Sequence, residues 1–419
     1  MTPSSATPLS WSELEPWAAA EPDRVQGPTN AQAQLRLFGA PESAVRVTLY
    51  RDHHAWCPYC QKIWLWLEER RIPYRIRKVT MVCYGEKEAW YRQIVPSGML
   101  PALEIDGHLI TESDLILQAL EHSFGSLGPA MASADVQPLR LLERQLFRAW
   151  CQWLCIPNLG ERQEQQARSA FDHLAATMAE LLERSAGPFF LGEFSTADLV
   201  FVPYVERMNA SLAYYKGYLL RREHPALHRW FGALEQRSTY LGTQSDFHTH
   251  AHDLPPQMGG CYSTETPEQR DLARRIDHGL WPIVAAGEPD PETSAVEPLD
   301  AAAVALARML RHRTTLVQRP PLRGSGGDQA LRCALTGLIG QGEYAPPAGT
   351  AGGLRYLRDR ISVPRDMPLH AARHLRQALE RTAALDPTTP AAQGDPLPNT
   401  HRRDQNPRPF LLGTPLGSI

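Results

Sequence analysis

Residues 45–123 switch repeatedly between two spacings of apolar side chains. VRVTLY (45–50) alternates and is rich in β-formers, which predicts a strand. Ile63, Trp64 and Leu67 then recur at helical spacing. Leu65 and Trp66 widen the apolar face, so the pattern predicts a helix over 58–71 that Pro73 stops. YRIRKV (74–79) alternates again, and 86–94 fits a short helix. LPALEI (100–105) and HLI (108–110) flank Asp106-Gly107, a dipeptide suited to a type I′ turn, which predicts a hairpin. Residues 112–123 return to helical period. The predicted order is β-α-β-α-β-β-α, a small mixed sheet with helices.

From about 131 to 240 no strand pattern occurs. Helical stretches run over 135–155, 162–186, 196–214 and 225–238. Ser195 precedes Asp198 by three residues, a capping box that opens the third of these. After about 245 the character changes. Residues 282–300 and 386–408 are rich in Pro, Asp, Glu and Thr and read as linkers, with helical period at 300–312, 328–339 and 369–384. Beyond Trp281 the only aromatics are Tyr344, Tyr356 and Phe410. So poor a supply predicts helices draped on the preceding domains rather than an independent third domain. The expected division is an N-terminal arm (1–44), an α/β domain (45–125), an all-helical domain (131–245) and a partly helical C-terminal extension (246–419).

Composition narrows the function classes. A chain of 419 residues exceeds what one core usually serves. The formal net charge of −3 gives no reason to expect nucleic acid or an acidic membrane as a partner. No apolar run reaches the ~18 residues of a membrane span. The first residues carry Glu13, Glu15, Glu21 and Asp23 and lack a basic n-region, so they read as an untargeted arm. Seven cysteines, an odd count at irregular spacing, suggest a reducing compartment such as the cytoplasm.

Two of those cysteines stand out in HAWCPYCQK (54–62), where Cys57 and Cys60 are two residues apart. Structural zinc needs four ligands, usually two such pairs, and there is no second C-x-x-C; no metal is expected. A disulfide across so short a loop removes little chain entropy. Redox chemistry fits the placement. A strand ends near Tyr50, a loop follows, and Pro58 takes the first helical position, which puts Cys57 at the helix start. There a thiolate meets free amides and the positive end of the helix dipole, an environment that lowers a cysteine pKa from about 8.5 to roughly 3.5–7.5. Cys60, one turn on, suits a more shielded resolving thiol; the alternative is a small buried residue.

The same domain offers groups for a peptide-like partner. Leu100-Pro101 begins a strand, and a cis bond there turns the Leu100 backbone toward the thiol. Thr111-Glu112-Ser113 stands where the last helix of the domain starts. Ser113 and the helix amides suit a carboxylate, and Glu112 suits an ammonium. Glutathione's γ-glutamyl end carries both groups on one carbon.

Taken in order, WCPYC (56–60), KEAW (87–90), MLPAL (99–103), TESD (111–114) and FLGEFSTADL (190–199) resemble the cytosolic glutathione transferases, closest to the cysteine-type omega and lambda classes but with a glutaredoxin-like C-P-Y-C. The resemblance covers about residues 45–240. It implies a thioredoxin-like N-terminal domain, an all-α second domain and glutathione as co-substrate. By the family pattern Cys57 forms a mixed disulfide with glutathione, Leu100 and Pro101 pair with its cysteinyl backbone, and Glu112 and Ser113 hold its γ-glutamate. Lys87 falls where those classes place a lysine near the glycine carboxylate; without the family it reads as a solvated surface charge. The implied activity is glutathione-dependent thiol transfer or reduction, of disulfides, glutathionylated thiols or dehydroascorbate. The alternatives are conventional conjugation to electrophiles and a non-catalytic scaffold that uses the extension. A homodimer is implied by the resemblance alone. Omega and lambda members usually lack a cysteine at the position of Cys60, so a monothiol mechanism does not follow.

Other candidates carry blander readings. His248, His250 and His252 alternate in FHTHAHD, which on a strand would face one side and could bind a metal, and in a loop between domains would be polar filler or tail-docking contacts. His224 and His228 stand on a packed helix face. GSGGD (324–328) reads as a linker. Cys83, Cys151, Cys155, Cys261 and Cys333 read as buried or incidental thiols. Tyr50 and Tyr59 are potential donors to a glutathione sulfur.

Overall fold

The computed structural model describes residues 7–319, 321–322, 324 and 326–388. Five strands form one sheet: β1 (Leu35–Arg36), β2 (Val47–Asp52), β3 (Tyr74–Val79), β4 (Ala102–Ile105) and β5 (His108–Thr111), in the order β1-β3-β2-β4-β5. β2 and β3 are parallel, joined through helix α1 (Pro58–Glu69), and the other pairings are antiparallel. The parallel pair requires a crossover, and the apolar face of α1 supplies it: Ile63, Trp64, Leu65, Trp66 and Leu67 are all buried. The β4–β5 turn has positive φ at both Asp106 (50°) and Gly107 (80°), as a type I′ turn demands. Helices α2 (Ala89–Ile94) and α3 (Ser113–Phe124) complete a thioredoxin-like domain. Its strands and helices match the expected order; β1, too short to show a period, is an addition on the sheet edge.

Four longer helices follow: α4 (Gln137–Leu154), α5 (Glu161–Arg184), α6 (Thr196–Lys216) and α7 (Pro225–Leu234). The expected capping box opens α6. Ser195 Oγ accepts from Ala197 N at 3.2 Å, and Asp198 Oδ2 accepts from Ser195 N at 3.1 Å. Asp198 Oδ1 also takes Trp230 Nε1 at 3.0 Å and Phe190 N at 3.2 Å, tying α7 and the preceding turn to the cap. Burial pushes this carboxyl up to about 6, and the hydrogen bonds from Trp230, Phe190 and Ser195 oppose that rise.

The chain divides into two compact units at places the sequence pattern did not show. One comprises 22–273 with 282–295; the other comprises residues up to 21, 274–281 and those from 296 onward. The segment 246–254 belongs to the first unit as helix α8 (Phe247–Asp253), every residue of which is buried. Residues 282–295 of the expected linker 282–300 are irregular yet docked. Arg221 Nη1 donates to Glu292 O at 2.9 Å, Arg221 Nη2 to Ser294 Oγ at 2.7 Å, and Asn209 Nδ2 to Pro291 O at 3.0 Å. Proline and acidic residues forbid regular structure there without preventing burial.

The other unit has its own core, contrary to the expectation of draped helices. Helices α9 (Ala301–Gln318), α10 (Gly327–Leu338), α11 (Ala351–Arg360) and α12 (Leu369–Ala384) bury Leu306, Leu331, Leu335, Leu354, Leu375 and Leu379 with small alanines between them. Leucine and alanine do here what aromatics do elsewhere. Leu14 belongs to this core, and Trp11 Nε1 donates to Asp328 Oδ1 at 2.8 Å. The glycines read as a linker at 324–328 instead run into α10, which Gly327 opens. The linker expected from 386 begins with a structural group: Asp386 accepts from Gly349 N at 3.1 Å and Ala351 N at 2.9 Å at the start of α11. Residues 389–408 of that linker and Phe410 lie outside the described residues.

Leu375 is fully buried in this core. Its replacement by alanine is expected to cost about 2–5 kcal/mol. Hydrogen-exchange mass spectrometry should show lost protection in α9–α12, with the β-sheet retaining its own.

Candidate active site

β2 ends at Asp52 and the chain turns through Ala55, which holds φ +58°. Two bonds fix this loop: His53 N donates to Val79 O at 2.8 Å and Trp56 N to Asp52 Oδ2 at 2.7 Å. Cys57 is then the N-cap of α1, with φ −57° and ψ 123°, and Pro58 follows at the first helical position. The Cys57 carbonyl accepts from Gln61 N at 2.9 Å. The thiol therefore stands at the positive end of a twelve-residue helix. Cys60 lies one turn inside and is 1% exposed, against 5% for Cys57. Burial first, then its hydrogen bond to Cys57 and the nearby Cys57 and Asp52 charges, hold the Cys60 thiol well above the usual cysteine range. It stays protonated, in one cluster with the Cys57 side chain.

Cys57, Cys60, Met81 and Tyr84 form one cluster, against which Leu100 and Cys83 pack. The Leu100–Pro101 bond is cis, and Tyr91 Oη donates to the preceding Met99 carbonyl at 2.5 Å. Glu112 has φ +67° and precedes α3, whose first residue is Ser113. Leu100, Pro101, Glu112 and Ser113 line one cavity of ≈ 300 Å³. Lys87 relates to the thiols more than to that cavity. Its Nζ donates to Thr80 O at 3.1 Å, and burial lowers its ammonium below the usual lysine range although the neighbouring cysteine pair opposes this.

The cavity has a second wall with no signature in the sequence. Tyr59 and Tyr204 meet edge to face at 5.8 Å, and the Arg144 guanidinium lies 4.6 Å over the Tyr204 ring. Beside them Lys62 Nζ meets Asp114 Oδ1 at 2.5 Å, and Arg140 pairs with the other Asp114 oxygen. Burial alone would raise Asp114; Lys62 and Arg140 outweigh it and keep the carboxyl below its usual range.

A buried network behind Cys57 also escaped the sequence reading. Arg207 on α6 donates to the Trp56 carbonyl and, at 2.9 Å, to Gln61 Oε1; its guanidinium lies 4.5 Å over the Trp56 ring. Trp56 Nε1 donates to His250 Nδ1 at 2.9 Å, and His250 Nε2 meets Glu206 Oε1 at 2.9 Å. So α6 and α8 grip the residues on either side of the cysteine. FHTHAHD was noticed for its spacing, but its element is a helix rather than a strand or loop. His248 and His252 share one face, with ring centroids 4.7 Å apart, and His250 points to Trp56 and Glu206. His224 does cap a packed face, with Nε2 2.8 Å from Tyr218 Oη and 3.1 Å from Asp172 Oδ1. Tyr50 is buried against Trp90 and Tyr91, whereas Tyr59 lines the cavity. Among the described residues no helix is long and apolar enough to cross a membrane.

Residues 56–123 match the glutathione S-transferase N-terminal domain, and residues 157–233 match the glutathione S-transferase C-terminal domain. The chain is 28% identical over 191 residues to glutathione S-transferase DHAR3, chloroplastic, of Arabidopsis thaliana, covering 45% of this chain and 69% of that protein. Glutathione S-transferase DHAR2 of the same plant is 26% identical over 190 residues, covering 45% and 84%. Among solved structures, glutathione transferase Omega 3C from Trametes versicolor is 26% identical, covers 58% of this chain and 98% of its own, and superposes with a TM-score of 0.41. The matched domains are those of the glutathione S-transferase superfamily, and the relatives are distant.

His250 yields a pH dependence. Burial lowers its pKa below 6.5 despite the Glu206 bond that opposes this. As pH falls through about 6.5 the unfolded chain takes up a proton that the folded chain refuses, so stability present at higher pH is lost on acidification. His250→Gln should flatten that loss. Urea midpoints measured above and below this pH, for both proteins, give the comparison.

Proposed function

We propose that this chain is a glutathione-dependent thiol transferase or reductase that works through a mixed disulfide on Cys57. The observation that carries the reading is the placement of Cys57 as the N-cap of α1, clustered with a Cys60 thiol that burial keeps protonated. The Cys57 sulfur stands where the unpaired amides of α1 begin, and the thiolate is the attacking form in thiol–disulfide exchange. The shared cavity of Leu100, Pro101, Glu112 and Ser113 supports glutathione as the partner. In this proposal the Leu100 backbone pairs with the cysteinyl unit of glutathione. The amides at the start of α3 and Ser113 take its γ-glutamyl carboxylate, and Glu112 takes its ammonium. Lys87 supplies a cation near the thiols for the glycine carboxylate.

The reaction is thiol–disulfide exchange. Cys57 thiolate attacks the glutathione sulfur of a glutathionylated thiol; that S–S bond breaks, and the substrate sulfur leaves as a thiolate and takes a proton. A second glutathione thiolate then attacks the adduct, restoring Cys57 and releasing glutathione disulfide. Cys60 is the internal alternative for this second step. Resolution by Cys60 requires its proton to leave, and its burial slows that loss. The reading therefore places external glutathione first. The ring wall of Tyr59 and Tyr204 offers the second substrate an apolar face, with Arg144 above it.

Intact mass spectrometry with peptide mapping after incubation with glutathione disulfide should find one glutathione on Cys57. An unmodified Cys57 would overturn the proposal. Cys57→Ser should lower disulfide reduction by at least about a hundredfold. Glutathione conjugation that survives in this variant while the wild type reduces no disulfide would favour the conjugating reading instead. Cys60→Ser should keep most turnover and accumulate the adduct longer at limiting glutathione.

A further inference from the structure

Three cysteines outside the proposed site converge at the end of α4. Cys151 lies in the last turn, and Cys155 is the residue after the helix, its N–H bonded to the Cys151 carbonyl at 2.9 Å. Cys261 comes from the segment after α8. It is pinned beside the helix end because Tyr262 N donates to Leu154 O at 2.9 Å, and Thr264 N continues the attachment to Tyr215 O at 3.0 Å. These backbone bonds put Cys155 between Cys151 and Cys261, and all three pack against the same core. All three side chains are half-buried, so solvent reagents reach them. The Lys216 ammonium at the end of α6 sits 3.1 Å from Glu164 and acts electrostatically on both Cys155 and Cys261.

The geometry distributes the roles. Cys155 lies between the two other thiols and near the Lys216 cation, and these neighbours hold it below the usual cysteine range, while its proximity and burial raise Cys151 and Cys261. Cys151 is a poor disulfide partner for Cys155. Residues four apart on a helix keep their Cβ atoms about 5–6 Å apart, and a disulfide needs roughly 3.5–4.5 Å. Cys261 is on a separate irregular segment that follows Gly259 and Gly260, both at positive φ, and has no helix to hold it away.

We propose that Cys155 and Cys261 are a second thiol–disulfide site, separate from Cys57 and Cys60, that closes into a disulfide with glutathione disulfide as its oxidant. Cys155 thiolate attacks one sulfur of glutathione disulfide; the S–S bond breaks and one glutathione thiolate leaves and is protonated. Once glutathione caps Cys155, the anionic neighbour that chiefly raised Cys261 is gone, unlike the burial that holds Cys60; Cys261 gives its proton to solvent and attacks the Cys155 sulfur of the mixed disulfide, expelling the second glutathione. Two cysteines lose two electrons and one glutathione disulfide becomes two glutathiones. The bridge ties the end of α4 to the segment that follows α8, the helix whose His250 holds Trp56 beside Cys57. The inference stands whether or not Cys57 carries glutathione.

The test uses the full chain. In the wild type under native conditions, a limiting alkylating agent should label Cys155 at least about tenfold faster than Cys151 or Cys261. After glutathione disulfide treatment of Cys57→Ser, non-reducing peptide mapping should give the Cys155–Cys261 cross-linked pair with Cys151 still alkylatable. Adding Cys261→Ser should leave a glutathione adduct stranded on Cys155. The same cross-link is readable in the wild type, so the result does not depend on how well the variants fold. Cys155 and Cys261 both remaining free, or a Cys151–Cys155 bridge forming in place of the expected pair, would overturn the proposal. A wild type with the cross-link but no adduct on Cys57 would keep this site while sinking the reading of the first.

Discussion

The capping of α1 by Cys57 is the constraint on which the proposed site depends. A helix N-terminus leaves backbone amides without partners, and a proline just inside it leaves the preceding side chain exposed to that positive end. The cap holds only if the loop before it cannot fray. That is the task of the buried groups around it: Asp52 on the Trp56 amide, Arg207 on the Trp56 carbonyl, and His250 on the Trp56 indole. Arg207 and His250 are costly to bury alone. They are accommodated because Gln61, Pro203 and Glu206 accept or share their hydrogen bonds.

The two walls of the cavity differ in kind. One is backbone and small polar groups at the ends of secondary elements: Leu100 before β4, and Glu112 and Ser113 at the start of α3. Such groups read a peptide by its main chain and its charges. The other is aromatic and basic and comes from α1, α4 and α6. A division of labour follows, with a fixed wall for the common partner and a variable wall for whatever it is exchanged with.

The first of these walls was legible in the sequence because its residues sit at element boundaries, which proline, capping residues and turn dipeptides mark locally. Pro58, Pro101, Asp106-Gly107 and Ser195 each announced a feature that the structure contains. The second wall and the network behind Cys57 were not legible. Arg207, Glu206 and His250 lie far from Trp56 in the sequence, and nothing in one strand or helix period says which buried polar side chains will meet. FHTHAHD illustrates the failure: its alternation of histidines suggests period two, but Asp246 caps it as a helix, accepting from Thr249 N at 2.9 Å. The C-terminal core was underestimated for a related reason. Counting aromatics misses a core built from leucine and alanine, whose close helix approach compensates for small side chains.

The partnership of residues near the start of the chain with helices near its end has a consequence for biosynthesis. Leu9 N donates to Thr336 Oγ1 at 3.1 Å across a separation of 327 residues, and Leu14 is buried in the same core. Ribosomes extend a chain at about 5–20 residues per second, so this opening segment waits roughly tens of seconds before its partners emerge. Residues 22–273 become available much earlier and hold a core that includes none of those late helices. The domain with the cysteine pair is therefore free to fold while residues 9–14 are still uncommitted, and the last core to assemble is the one that joins them to α9–α12.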